Sequence, residues 1–198
     1  MQWIASNSTA LIFLANAGVI LVWVFFGFLM MADFAKLRRP KLLISRQQRM
    51  DVDGVCAVIN MGQEAVYVSA VLAVVKGKDQ TFRADLTNYI PSLGQTQSTT
   101  GALQGPLASG SEYRLDTFRR LAQHSLQASN ASIRCEDLDS IEIRIIATHG
   151  RDDRPFGVYR RFAQEEGVLK PVSFHTRLLS PRWHQDRLRR WQRQVAQA

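Results

Sequence analysis

Ala10-Leu-Ile-Phe-Leu-Ala-Asn-Ala-Gly-Val-Ile-Leu-Val-Trp-Val-Phe-Phe-Gly-Phe-Leu-Met-Met-Ala32 is a run without one charged side chain. The hydrocarbon core of a bilayer takes about 20 apolar residues in a helix, so the run predicts a single transmembrane helix over 10–32. Asp33 ends it, and Lys36, Arg38, Arg39 and Lys41 crowd the stretch that follows. A secretory signal has the opposite layout, with cations ahead of a shorter apolar core, whereas Met1 to Thr9 holds no Lys or Arg. A buried helix of a soluble domain carries a polar stripe, which this run lacks.

Orientation follows from charge. Cytoplasmic flanks are enriched in Lys and Arg. The expected topology therefore puts a short tail, residues 1–9, outside and everything from a basic juxtamembrane linker (33–41) onward in the cytoplasm. A bacterial inner membrane fits this layout. Trp3 and Phe34 suit the two headgroup levels, and Ser6 to Thr9 supply oxygens to cap the helix start.

Asn16 is the strongly polar side chain of the run. Interhelical hydrogen bonds of amides in lipid are worth roughly 0.6–2 kcal/mol. Ala15, Ala17 and Gly18 beside it allow close approach, so Asn16, Ala15 and Gly18 are candidates for a helix–helix contact, with a second copy or with another membrane protein. The competing reading is an Asn16 hydrated near the headgroups, since it lies only about 9 Å into the run.

Past the anchor about 160 residues remain, enough for one domain with a real core. The formal net charge of +8 is uneven. Of 25 Lys and Arg, six lie in 36–49 and five in 182–193, leaving fourteen in 50–181 against fifteen Asp and Glu. The excess forms two patches. Nucleic-acid binding pairs a basic face with aromatics; an anionic inner leaflet attracts the same charges at about 1 kcal/mol each. Tethering at a membrane favours lipid over nucleic acid. The lipid-contact candidates are Lys36, Arg38, Arg39, Lys41, Arg187, Arg189, Arg190 and Arg193.

Pro40 stops helical continuation. Beyond it, residues 42–180 read as a β domain. Lys41–Ser45 is a short first strand and Val52–Asn60 a second. Ala65–Val75, rich in β-branched residues, is a long third. The turn Met61-Gly-Gln-Glu64 suggests that the second and third form a hairpin. Gln80–Leu86 follows. Residues 91–110, full of Gly, Ser, Thr, Gln and Pro, read as a mobile loop. Glu112–Phe118 starts another strand, or Asp116–Leu126 instead starts a short helix. Ser140–His149 alternates with period two. Gly150–Pro155 turns back into a strand over Phe156–Ala163, and Leu169–Leu178 is the last. Short strands at about ten-residue intervals predict a mainly β architecture, an immunoglobulin-like β-sandwich.

The chain closes with an Arg-rich helix over 181–198. Ser180 and Pro181 suit its start, and Leu188, Trp191 and Val195 share one face. Such a basic amphipathic helix binds a membrane surface or a partner; alternatively it packs on the sandwich by its tryptophans.

Chemistry is sparse in the sequence. His124, His149, His175 and His184 are scattered, no Cys-x-x-Cys occurs, and no zinc spacing is present. Nucleotide and nucleophile motifs are missing, so no cofactor, metal or catalytic residue is expected. Asp51-x-Asp53-Gly54 reads as a turn. Cys56, within Val55–Ile59, is a core residue; Cys135, ahead of acidic residues, is expected to be more exposed. The best polar cluster is the turn His149, Arg151, Asp152 and Asp153, either a charged turn or an acid–base set. The expected function is a non-enzymatic, single-pass, membrane-anchored accessory, scaffolding or regulatory module. The alternatives are a subunit of an oligomeric channel and a membrane-tethered enzyme using the His149 turn.

Overall fold

A computed structural model of the chain describes residues 7–37, 40–77, 80–91, 103–131, 133–149, 152–179 and 185–196. The chain divides into two units, residues 1–39 and 40–198.

The first unit is helix α1, Ser8–Leu37. It contains no proline and no charge before Asp33, so nothing interrupts its hydrogen-bond ladder. From Ile12 to Phe34 every side chain except Ala17 and Ala32 is exposed. These 23 residues are long and apolar enough to cross a membrane. The helix continues to Leu37, so the stretch expected as a linker over 33–41 begins as helix. Ala15 and Gly18 lie one turn apart on a shared face, while Asn16 points about 100° round from Ala15.

The second unit is mainly β. Strands β1 (Leu42–Gln47), β2 (Val55–Asn60) and β6 (Glu112–Thr117) form a three-stranded antiparallel sheet in the order β1-β2-β6. The other sheet runs β10-β8-β7-β3-β4. Its strands are β3 (Val66–Gly77), β4 (Gln80–Asp85), β7 (Ser140–His149), β8 (Asp152–Glu165) and β10 (Arg177–Leu179), with β5 (Gly105–Leu107) on β3 and β9 (Val168–Pro171) on β8.

Period two explains the core. Ile141, Ile143, Ile145 and Ala147 of β7 share one face and are buried. They join one apolar cluster with Ile44 and Val58 of the smaller sheet. Helix α2 (Phe118–Ala128) follows β6 directly. Thr117 caps it, its hydroxyl accepting from Arg120 N at 3.3 Å. Phe118, Leu121, Ala122 and Leu126 bury into the same cluster, and Phe118 meets Phe162 of β8 at 4.7 Å between ring centroids.

Strand β3 is apolar on both faces for a structural reason. A register shift between Val68 and Ala70 changes its parity. Val71, Ala73 and Val75 then face the main core, while Ala70 and Leu72 join a second cluster on the opposite face. Helix α3 (Gln185–Ala196) covers that face with Leu188 and Trp191. A sheet covered on both sides reads as a continuous apolar run.

Several sequence expectations change. β2 and β3 are not a hairpin: they belong to different sheets, because buried Asn60 anchors a crossing. Its amide donates to Glu64 O at 2.9 Å and Leu107 O at 3.1 Å, and its Oδ1 accepts from Gly62 N at 2.9 Å. The last expected strand is two short ones, β9 and β10, separated by a bent segment over 172–176. Within the expected loop 91–110, residues 92–102 lie outside the described residues. The remainder contains β5, and Leu103 and Leu107 are core, so this part is not a mobile loop. Cys135, on a short 3-10 helix (Cys135–Asp137), is buried rather than exposed. Both cysteines are free thiols. The C-terminal helix is described from Gln185; Pro181 to His184 lie outside the described residues.

Candidate interaction surface

β8 presents Tyr159 and Arg161 to the face that α3 covers, and Arg160 to the other. β10 pairs Arg177 directly beside Tyr159. Arg187 of α3 stacks over the Tyr159 ring at 5.1 Å, a cation–π contact. Together with Val172, Ser173 and Glu142 these residues line a cleft of about 210 Å³.

Glu142 is nearly inaccessible, its side chain 4% exposed. Its Oε1 accepts from Arg144 Nε at 2.7 Å and its Oε2 from Arg161 Nε at 3.1 Å. Arg144 also lies over Trp191 at 5.0 Å. The carboxylate thus fixes two arginines, and α3 docks on one of them. Arg177 and Arg187 have no carboxylate partner among the described residues.

Arg160 has a different task. Its Nη1 donates to Ile44 O at 2.6 Å, and its Nη2 to Ser173 O and Phe174 O at 3.2 Å each. It joins the edge of β1 to the 172–176 segment. Burial holds its pKa below the ordinary arginine value, and its Nε has no hydrogen-bond partner. Ile44 N donates to Thr176 Oγ1 at 2.9 Å and Ser173 Oγ to His175 O at 2.8 Å. The segment is a built loop, and at its tip Phe174 is 95% exposed.

A second cleft, about 400 Å³, lies along α2 beside the 3-10 helix. Arg119 at its rim pairs with both Asp53 and Glu136. The hydrogen bond from Arg119 holds the Asp53 carboxyl below the usual carboxylate range. Gly54 N donates to Asp51 O at 3.1 Å and Asp53 N to Asp51 Oδ1 at 2.9 Å, so Asp51 to Gly54 is a turn clamped by Arg119.

The remaining candidates are placed as follows. His149 ends β7, only 14% exposed at its side chain, and its Nδ1 lies 3.0 Å from Glu64 Oε2. Glu64 comes from the β2–β3 crossing, a partner that local sequence does not reveal. β8 begins at Asp152, so the turn is shorter than the six residues expected. Arg151 and the side chains of Asp152 and Asp153 lie outside the described residues. Among the described residues no group of three or more His, Cys, Asp or Glu is placed to hold a metal ion. Lys41, Arg187, Arg189, Arg190 and Arg193 are exposed. Arg38, Arg39 and the Lys36 side chain lie outside the described residues. Sequence reading missed Arg144, Arg160, Arg161 and Arg177. They sit in a stretch with balanced charge, and only strand pairing gathers the arginines. The chain matches no protein-family model, no curated protein and no solved structure.

Proposed function

We propose that the chain is a single-pass membrane protein whose β domain is a non-enzymatic accessory, scaffolding or regulatory module, held on the cytoplasmic side of a bacterial inner membrane. The observation that carries the reading is α1: from Ile12 to Phe34 a helix almost wholly exposed and, Asn16 and Asp33 apart, free of strongly polar side chains. In water such a surface is far larger than the apolar patches that monomers expose. The cationic stretch Lys36 to Lys41 after it supports an N-out, C-in orientation.

The domain is read as immunoglobulin-like. Its orders β1-β2-β6 and β8-β7-β3-β4 correspond to strands A-B-E and G-F-C-C′ of that sandwich. An 11-residue helix, α2, replaces the usual short link from E to F. A sandwich fold by itself names no function, and the ion-paired clefts here favour binding. Its partners are another membrane protein or a second copy, together with anionic lipid at the arginines of α3 and the juxtamembrane cations.

Alkaline extraction of membranes bearing the full chain tests the tether. The chain stays with the membrane; release into the supernatant overturns the reading. Protease added to inverted vesicles digests residues after 40, and protease added to spheroplasts leaves them intact. The reverse pattern overturns the orientation. Mild-detergent purification then identifies the partner: a stoichiometric second membrane protein supports an accessory subunit, and a chain recovered alone points to self-assembly.

A further inference from the structure

Phe174 is the most exposed large apolar side chain among the described residues of the β domain, and its loop is firmly built. The two backbone carbonyls at Ser173 and Phe174 are held by Arg160, and Thr176 is held by the β1 backbone. A loop that merely strayed into water would not be fixed by a half-buried guanidinium. Val172 on the same loop is also exposed, as is Leu178 just past it. Val172 and Ser173 form one wall of the cleft that holds Arg161, Arg177 and Arg187. The loop that carries the aromatic tip thus also borders a cleft with three cations, two of them without a carboxylate partner among the described residues.

We propose that the 172–178 segment is a lipid-inserting edge of the β domain. Phe174 enters the boundary between headgroups and acyl chains of an anionic bilayer, and Arg161, Arg177 and Arg187 take up lipid phosphates. The proposal rests on the membrane tether inferred above and adds a docking surface to it. Two observations select lipid as the occupant. The chemistry is complementary: an apolar wedge with flanking cations is what an anionic interface binds. The phosphate-binding groups are guanidiniums, whose fork suits phosphate oxygens.

The test is photocrosslinking in the full chain, reconstituted into bilayers of phosphatidylcholine alone or of an equal mixture of phosphatidylcholine and phosphatidylglycerol. Benzoylphenylalanine replaces Phe174; a second preparation carries it in place of Phe25 in α1. The side chain at 174 is almost wholly in solvent, so the replacement leaves the fold intact. The expected result is lipid adducts at both positions, with the adduct yield at 174 higher in the anionic mixture. Arg177→Glu with Arg187→Glu lowers the yield at 174 by about tenfold or more and leaves the yield at 25 unchanged. Lipid adducts at 25 with none at 174 overturn the insertion and leave the tether standing. Adducts at 174 to protein alone also overturn it and make the loop a protein-docking surface. No lipid adducts at either position overturn both. A yield at 174 indifferent to the two charge reversals overturns the role of the arginines.

Discussion

Gly157 of β8 lies directly beneath Trp191 of α3: a Cβ at residue 157 would stand 2.9 Å from the Trp191 ring and 2.9 Å from a Leu188 methyl. The missing side chain is what lets the helix seat on the sheet, since real Cβ atoms are not found that close to their neighbours.

Gly157→Ala forces α3 outward and destabilises the domain by about 1–3 kcal/mol, the usual penalty for overpacking. Trp191→Ala empties the same contact and costs about 3–5 kcal/mol. The two effects are not additive, because the smaller residue at 191 accepts the extra methyl. Urea denaturation of the two single variants and the double variant reads the coupling. Additive losses would show that the two residues do not share one contact.

Glu142 holds Arg144 and Arg161 at once while buried. Removing one partner of a buried pair leaves an uncompensated charge, at about 3–5 kcal/mol. Arg161 is half exposed, so Glu142→Ala should fall toward the low end, near 3 kcal/mol. The loss reaches α3, whose Trp191 lies against Arg144. Hydrogen exchange of residues 185–196 accelerates in this variant. Unchanged exchange there would mean that the helix does not depend on the ion pair.

Asp53 gives a pH signature. Its hydrogen bond from Arg119 lowers the carboxyl pKa in the folded state, below the unfolded value of about 3.9. A depressed carboxylate contributes stability that is present above the unfolded pKa and lost as pH falls through the folded one. The Tm difference between the wild type and Asp53→Asn is therefore constant from neutral pH to about pH 5 and shrinks below about pH 4. Melting curves across that range check it, and a difference that does not shrink as the pH falls would contradict the assignment.

Tyr89 behaves in the opposite sense. Burial, then the hydrogen bond its hydroxyl gives Asp116 at 2.9 Å, pushes its pKa up to about 12. A raised phenol means that the folded state prefers the neutral form, so this contribution is complete below about pH 10 and is lost as pH rises through 12. In an ultraviolet titration of the folded protein Tyr89 ionises after an ordinary tyrosine, and Tyr89→Phe removes that late component. A titration unchanged by the substitution would rule out the pairing.

The elements were legible where side-chain periodicity is strong. Ser140–His149 was read residue for residue, because Ile141, Ile143 and Ile145 alternate with polar neighbours. α2 was half legible: strand and helix competed for residues 112–126, and the structure has both, with Thr117 ending β6 and capping α2. The arginine cleft was not legible, because Arg161, Arg177 and Arg187 come from two strands and a helix. Nor was the pairing of His149 with Glu64.

The sequence by itself determined a charge-free helix of spanning length, a mainly β domain after it and a basic amphipathic helix at the end. Each follows from composition and period within one segment, where neighbours along the chain set the chemistry. Only the tertiary structure decided that β2 and β3 lie in different sheets, that α3 turns Leu188 and Trp191 onto β8, and that Phe174 stands in solvent on a loop held by Arg160. Sheet assignment depends on which faces find apolar cover and where buried polar groups such as Asn60 find partners. Those partners lie up to 47 positions away along the chain, and no local pattern encodes them.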